Sequence, residues 1–172
     1  MREWANWAAV AAFVVATCGA DSCEIPALED SEGRLSVTAN VAGTWTGSDF
    51  TLACQPSGTV EFPPSTFTLT LTQGSVTPSG ISVSGTLSAT DPTVGTAAGT
   101  VDGTLSGSTL TFAVDVTITP PGGGTPSCAF SLSGTGVTTG NSMTITLSGN
   151  VTSGTCCGGV GGSISGTATA TR

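Results

Sequence analysis

The chain has no histidine, no tyrosine and no lysine, and its three basic residues are Arg2, Arg34 and Arg172. Each absence removes a class of chemistry. A serine or cysteine nucleophile needs a base beside it, and the many serines here have neither His nor Lys to activate them. A His-containing zinc centre has no ligands, and none of the six cysteines is spaced as Cys-x-x-Cys. Nucleic-acid binding needs a basic surface, which a formal charge of −8 argues against. Charged residues are only 8% of the chain and aromatics 5%. No cofactor is expected from such a set.

What the chain has instead is glycine, 25 of them, set in a recurring phrase of apolar, Ser, Gly, Thr, apolar. It occurs as Val83-Ser84-Gly85-Thr86-Leu87 and, with Asp for Ser, as Val101-Asp102-Gly103-Thr104-Leu105. It returns around Gly134, Gly149 and Gly166. The glycine always shares its phase with the large apolar residues, while Ser and Thr take the other. That period of two is the signature of β-strands with one apolar and one hydroxyl face. A flexible low-complexity linker has no reason to preserve such a face.

Turn signals divide the body into eight strands: 42–54, 65–73, 80–90, 97–106, 109–119, 127–138, 142–153 and 162–172. Their uneven spacing argues against a solenoid, which needs a fixed period, and favours antiparallel hairpins. A two-residue turn at Gly107-Ser108 sets Leu105 opposite Leu110, Gly103 opposite Phe112 and Val101 opposite Val114. A turn at Gly140-Asn141 sets Gly136 opposite Ile145, Gly134 opposite Leu147 and Leu132 opposite Gly149. Each inward glycine then meets a bulky neighbour, an agreement that a one-residue slip would destroy. The expectation is an all-β fold, an antiparallel up-and-down barrel of about eight strands with an apolar interior. An outer-membrane barrel would instead turn its apolar face toward lipid. A phase change between Trp45 and Phe50 predicts a bulge near Gly47-Ser48.

Ahead of the barrel, Arg2 and the apolar stretch from Trp7 to Ala16 have the makings of a helical export signal, too short for the roughly 20 residues a bilayer span needs. Val15-Ala16-Thr17-Cys18 resembles the bacterial lipobox, although Thr17 stands where Gly, Ala or Ser is usual. The resemblance implies lipidation of Cys18, a membrane anchor in the cell envelope, and a lipid bilayer as partner. Ordinary cleavage after Ala16 or Ala20, giving a secreted protein, is the competing reading. The domain organisation is therefore a signal peptide over 1–17, a flexible acidic tether over 18–40 and a barrel over 41–172. Glu24, Glu29, Asp30 and Glu32 give the tether its charge.

In an up-and-down barrel the loops after the first, third, fifth and seventh strands share one end. Cys54, Cys128, Cys156 and Cys157 all fall there, with Cys128 expected opposite Ser153. Two disulfides are expected to link Cys54 and Cys128 to Cys156 and Cys157, in an order the spacing leaves open. Export to an oxidising compartment would favour them. Lipidation of Cys18 would strand Cys23, whereas cleavage after Ala16 would allow Cys18–Cys23. Among the acids, Asp49, Glu61 and Asp91 are expected near the loop-rich end, and Asp102 and Asp115 on outward phases. Such placement suits surface acids better than a catalytic pair, and no loop has the EF-hand pattern.

Gly43-Thr44-Trp45 in the first strand and Arg172 at the end resemble the calycins, the superfamily of lipocalins and avidins. The resemblance implies that Arg172 packs on Trp45 and closes the barrel. The other lipocalin motifs and the avidin pocket aromatics are missing, so no ligand carries over. The chain also looks similar to small uncharacterised bacterial lipoproteins. The expected function is a non-enzymatic structural or interaction role at the cell envelope. One alternative is binding of a small apolar molecule in the barrel interior. Another is inhibition of a basic protein partner such as lysozyme, through a resemblance to periplasmic lysozyme inhibitors in size, charge, disulfides and barrel shape.

Overall fold

The computed structural model describes residues 28–29, 35–36, 38–125 and 127–172. The expected signal helix and Cys18 lie outside these residues, as does Cys23. Two short strands, β1 (Leu28–Glu29) and β2 (Leu35–Ser36), pair with each other within the stretch read as a tether. The chain divides into compact units at Val37/Thr38, three residues before the expected barrel boundary.

The body is an antiparallel barrel closed by eight strands: β3 (Gly43–Gln55), β4 (Val60–Thr77), β5 (Gly80–Asp91), β6 (Gly95–Ser106), β7 (Thr109–Thr119), β8 (Cys128–Thr139), β9 (Ser142–Gly154) and β10 (Ser163–Thr171). Each strand pairs with its neighbours in sequence, and β10 returns to β3. The β6–β7 hairpin has the expected register throughout, from Ser106↔Thr109 to Val101↔Val114. The β8–β9 hairpin likewise pairs Gly136 with Ile145, Gly134 with Leu147 and Leu132 with Gly149.

The expected bulge is present. Between Gly47↔Phe67 and Phe50↔Ser65, β3 advances one residue more than β4, and it does the same against β10. A surplus residue relative to both neighbours turns the strand over, so Trp45 and Phe50 both point inward despite opposite phases. Another irregularity corrects the expectation for Cys128. A shift between Ala129 and Phe130 sets Cys128 opposite Gly154, because β9 carries one more residue there.

Strand β4 runs well beyond the predicted 65–73. Pro63 and Pro64 read as loop because proline cannot donate to a ladder. They are tolerated because the β3–β4 register slips around them, and β4 joins β5 only from Thr66. At the other end a slip between Gln73 and Val76 lets β4 continue to Thr77.

The interior is one apolar cluster, in which Trp45, Phe50, Phe62, Phe130, Leu105 and Leu110 are fully buried. The inward glycines are roofed by neighbouring side chains. A Cβ at Gly166 would stand 2.7 Å from Leu52 Cδ2, and one at Gly103 2.7 Å from Phe112 Cβ. Hydroxyls cover the outside: Thr104, Thr111, Thr135, Thr146, Thr167 and Thr51 pair in succession across six strands. Within that row the Thr135 and Thr146 hydroxyls are 3.0 Å apart and hydrogen-bonded. No helix among the described residues is long and apolar enough to cross a membrane.

Candidate functional site

Up-and-down winding gives the barrel two unlike rims. The turns at 78–79, 107–108 and 140–141 are tight and form the foot. Longer connections at 56–59, 92–94, 120–127 and 155–162 form the mouth, and all four cysteines of the barrel gather there. Cys54 ends β3, Cys128 opens β8, and Cys156 and Cys157 lie on a one-turn 3-10 helix, Cys156–Gly158. The disulfides are Cys54–Cys157 and Cys128–Cys156, with Cα atoms 5.1 and 6.1 Å apart. Two consecutive half-cystines therefore hold one loop to two different strands, and the β9–β10 connection straps the mouth from β8 across to β3. Cys157 takes the left-handed conformation at φ 52°, a region uncommon for a residue with a Cβ.

Glu61, at the start of β4, reaches into this cluster. Its Oε1 accepts the Cys157 backbone N–H at 2.9 Å and lies 3.1 Å from Cys54 Sγ. The Cys156 N–H points at Cys128 Sγ, 3.3 Å away. Asp91, also at the mouth, accepts from the backbone N–H groups of Thr93 and Val94, at 2.8 Å each. Asp49 does not join them. It sits at the β3 bulge, where Oδ1 accepts the Thr169 N–H at 2.7 Å and fills a gap in the β3–β10 ladder. Asp102 and Asp115 stand on the exposed wall. Three of these five acids are thus tied to backbone donors, and among the described residues the five form no pair facing a common cleft.

The foot carries the residues read as barrel closure. Trp45 is fully buried and its Nε1–H donates to Val41 O at 2.8 Å. The Arg172 guanidinium lies over the indole, 4.9 Å from the ring centroid, and donates to Ala42 O at 3.1 Å. Gly43 opens β3 at φ +118°, so the first position of the Gly-x-Trp motif is needed for its backbone.

Gln73 is the member of this group that sequence reasoning missed. Its Oε1 accepts the N–H groups of Val41 and Ala42, at 2.9 and 3.2 Å, where β3 has not yet begun to pair. The signal was there: Gln73 continues the inward phase of Leu69 and Leu71, and a polar residue on a core phase needs a partner. Glu61 gave no such signal, since only the folded mouth brings it to the sulfurs.

The interior between the rims is nearly solid. The cavity enclosed by Phe50, Phe67, Leu69, Leu87, Phe112 and Leu147, among others, measures about 10 Å³, close to the minimum that holds a single water. Its lining is wholly apolar. These features define a closed eight-stranded up-and-down β-barrel with a filled core, consistent with a calycin-like barrel. Comparison with protein-family models, with curated proteins and with solved structures finds no match for this chain.

Proposed function

We propose that this chain is an exported cell-envelope protein whose barrel serves a non-enzymatic structural or interaction role, anchored to the membrane through an acylated Cys18. The observation that carries the reading is the pair of disulfides strapping the mouth. Such bridges persist in oxidising compartments outside the cytosol, which is where the lipobox-like Val15-Ala16-Thr17-Cys18 would deliver the protein. The use of Glu61, Asp91 and Asp49 as backbone acceptors favours scaffold over catalysis. A cavity of about 10 Å³ weighs against storage of an apolar ligand inside the barrel. The seat of Arg172 on Trp45 supports kinship of architecture with the calycins. The formal charge of −8 favours a basic protein partner over nucleic acid.

The test is an intact mass of the mature protein from its native membranes, measured with and without reductant. The expected mass begins at Cys18, includes diacylglycerol, and rises by four hydrogens on reduction as the two bridges open. A mass beginning elsewhere and carrying no lipid overturns the anchor. Membrane fractionation of Cys18→Ala gives the second readout, with release into the soluble fraction as the expected outcome.

A further inference from the structure

Three chain segments bring Cys54 Sγ, a Glu61 carboxylate oxygen and Cys157 Sγ within 4.8 Å of one another. In the oxidised protein this arrangement is only half explained. Glu61 Oε1 gains the Cys157 N–H, but its 3.1 Å contact with Cys54 Sγ brings no hydrogen bond, because a disulfide sulfur has no proton to donate. Among the described residues no cation balances the carboxylate nearby. Arg172 is the sole basic side chain among the described residues, and it sits at the opposite rim.

We propose that the Cys54–Cys157 disulfide is the closed form of a thiolate–carboxylate metal site, which a dithiol opens and a zinc-class divalent ion then occupies. The dithiol gives two electrons to the S–S bond and becomes a cyclic disulfide, leaving Cys54 and Cys157 as thiols. The ion then binds both sulfurs and displaces two protons to solvent. Glu61 supplies the third donor as a carboxylate, already held in place by the Cys157 N–H, and solvent takes the fourth position. Two thiolates and a carboxylate form a soft, anionic set that suits zinc over magnesium or calcium. The geometry needs little adjustment. Zinc–sulfur bonds of about 2.3 Å at tetrahedral angles put the two sulfurs roughly 3.8 Å apart. Side-chain rotation supplies that separation with the Cα atoms 5.1 Å apart.

The experiment uses the full chain, reduced with a phosphine that does not compete for metal and titrated with Co²⁺ as a spectroscopic stand-in. The expected result is one equivalent bound, with thiolate-to-cobalt charge transfer and tetrahedral ligand-field bands, displaced by Zn²⁺. Glu61→Gln should weaken binding about tenfold or more, and Cys54→Ser should abolish the charge-transfer signature. The Cys128→Ser/Cys156→Ser double variant should still bind one equivalent. Absence of binding overturns the proposal, as does binding indifferent to Glu61→Gln or lost in the double variant. A reduced chain that loses its β circular dichroism and does not regain it with Zn²⁺ overturns it equally.

Discussion

Replacing Gly134 by alanine sets two effects against each other. Glycine inside a strand costs about 0.5–1 kcal/mol relative to alanine through backbone entropy, so propensity alone predicts a gain. The structure predicts a loss. A Cβ at position 134 would stand 2.8 Å from Leu147 Cδ2 and 3.3 Å from the Thr146 carbonyl carbon, with the Thr146 oxygen closer still. Leu147 can rotate away, but the Thr146 peptide belongs to the β8–β9 ladder and cannot retreat without opening it. Overpacking of this kind costs about 1–3 kcal/mol, leaving a net destabilisation of roughly 1–2 kcal/mol and a melting point lower by about 4–8 °C. Gly136, two residues along the same strand, is the control. Its Cβ would meet Met143 Sδ at 3.0 Å and Cγ at 3.4 Å, with no backbone atom among its nearest neighbours. A thioether side chain can swing clear, so Gly136→Ala should be neutral or more stable by up to about 1 kcal/mol. Guanidinium unfolding with the disulfides intact reads both midpoints. A midpoint that rises in Gly134→Ala, or falls equally in both variants, refutes the account of these glycines as sites of close backbone approach.

Three further outcomes are expected. A double-mutant cycle of Arg172→Ala and Trp45→Leu should return a coupling of about 0.5–2 kcal/mol for the cation–π contact at the foot; additivity within error would remove that contact from the stabilising set. Loop-closure entropy assigns about 4.7 kcal/mol to the Cys54–Cys157 bridge, which spans 103 residues, and about 3.6 kcal/mol to Cys128–Cys156, which spans 28. Thermal melts of paired Cys→Ala variants should therefore show the larger loss for the first pair, and the reverse order would contradict the entropic argument. Long-chain fatty acid added to the protein should leave its melting point unchanged, because about 10 Å³ of cavity cannot take an acyl chain; at 100 times Kd a true ligand would add about 2.7 kcal/mol.

The strands and their pairing were legible because alternation is a local signal and each hairpin turn sets a countable register. Gly107-Ser108 and Gly140-Asn141 were enough to place Phe112 over Gly103 and Leu147 over Gly134. The phase flip between Trp45 and Phe50 disclosed the β3 bulge for the same reason. The extra β9 residue opposite Ala129 was not legible, since it falls among residues that give no phase contrast, and the partner of Cys128 was misplaced by one. Pro63 and Pro64 concealed the true start of β4 because their tolerance depends on surplus residues in β4 that let its register slip against β3. At the mouth, topology gathered the four cysteines, but their pairing depends on the path of the 155–162 loop, which no periodicity specifies. Glu61 was expected at the loop-rich end and lies there, but its contact with the Cys157 N–H was not legible, because it joins segments 96 residues apart.

Strand β3 leaves the foot beside the entry of the preceding chain, where Ala39 N–H bonds Gly107 O, and ends at the mouth in Cys54. A pull on the chain at Ala39 with the mouth held would therefore run along β3 and load its ladders to β4 and β10 together in shear, instead of unzipping them one rung at a time. Even a β3 that slipped would remain fastened through Cys54–Cys157. Force spectroscopy should find high resistance to unfolding in this direction, and an extension per event that lengthens once the bridge is reduced.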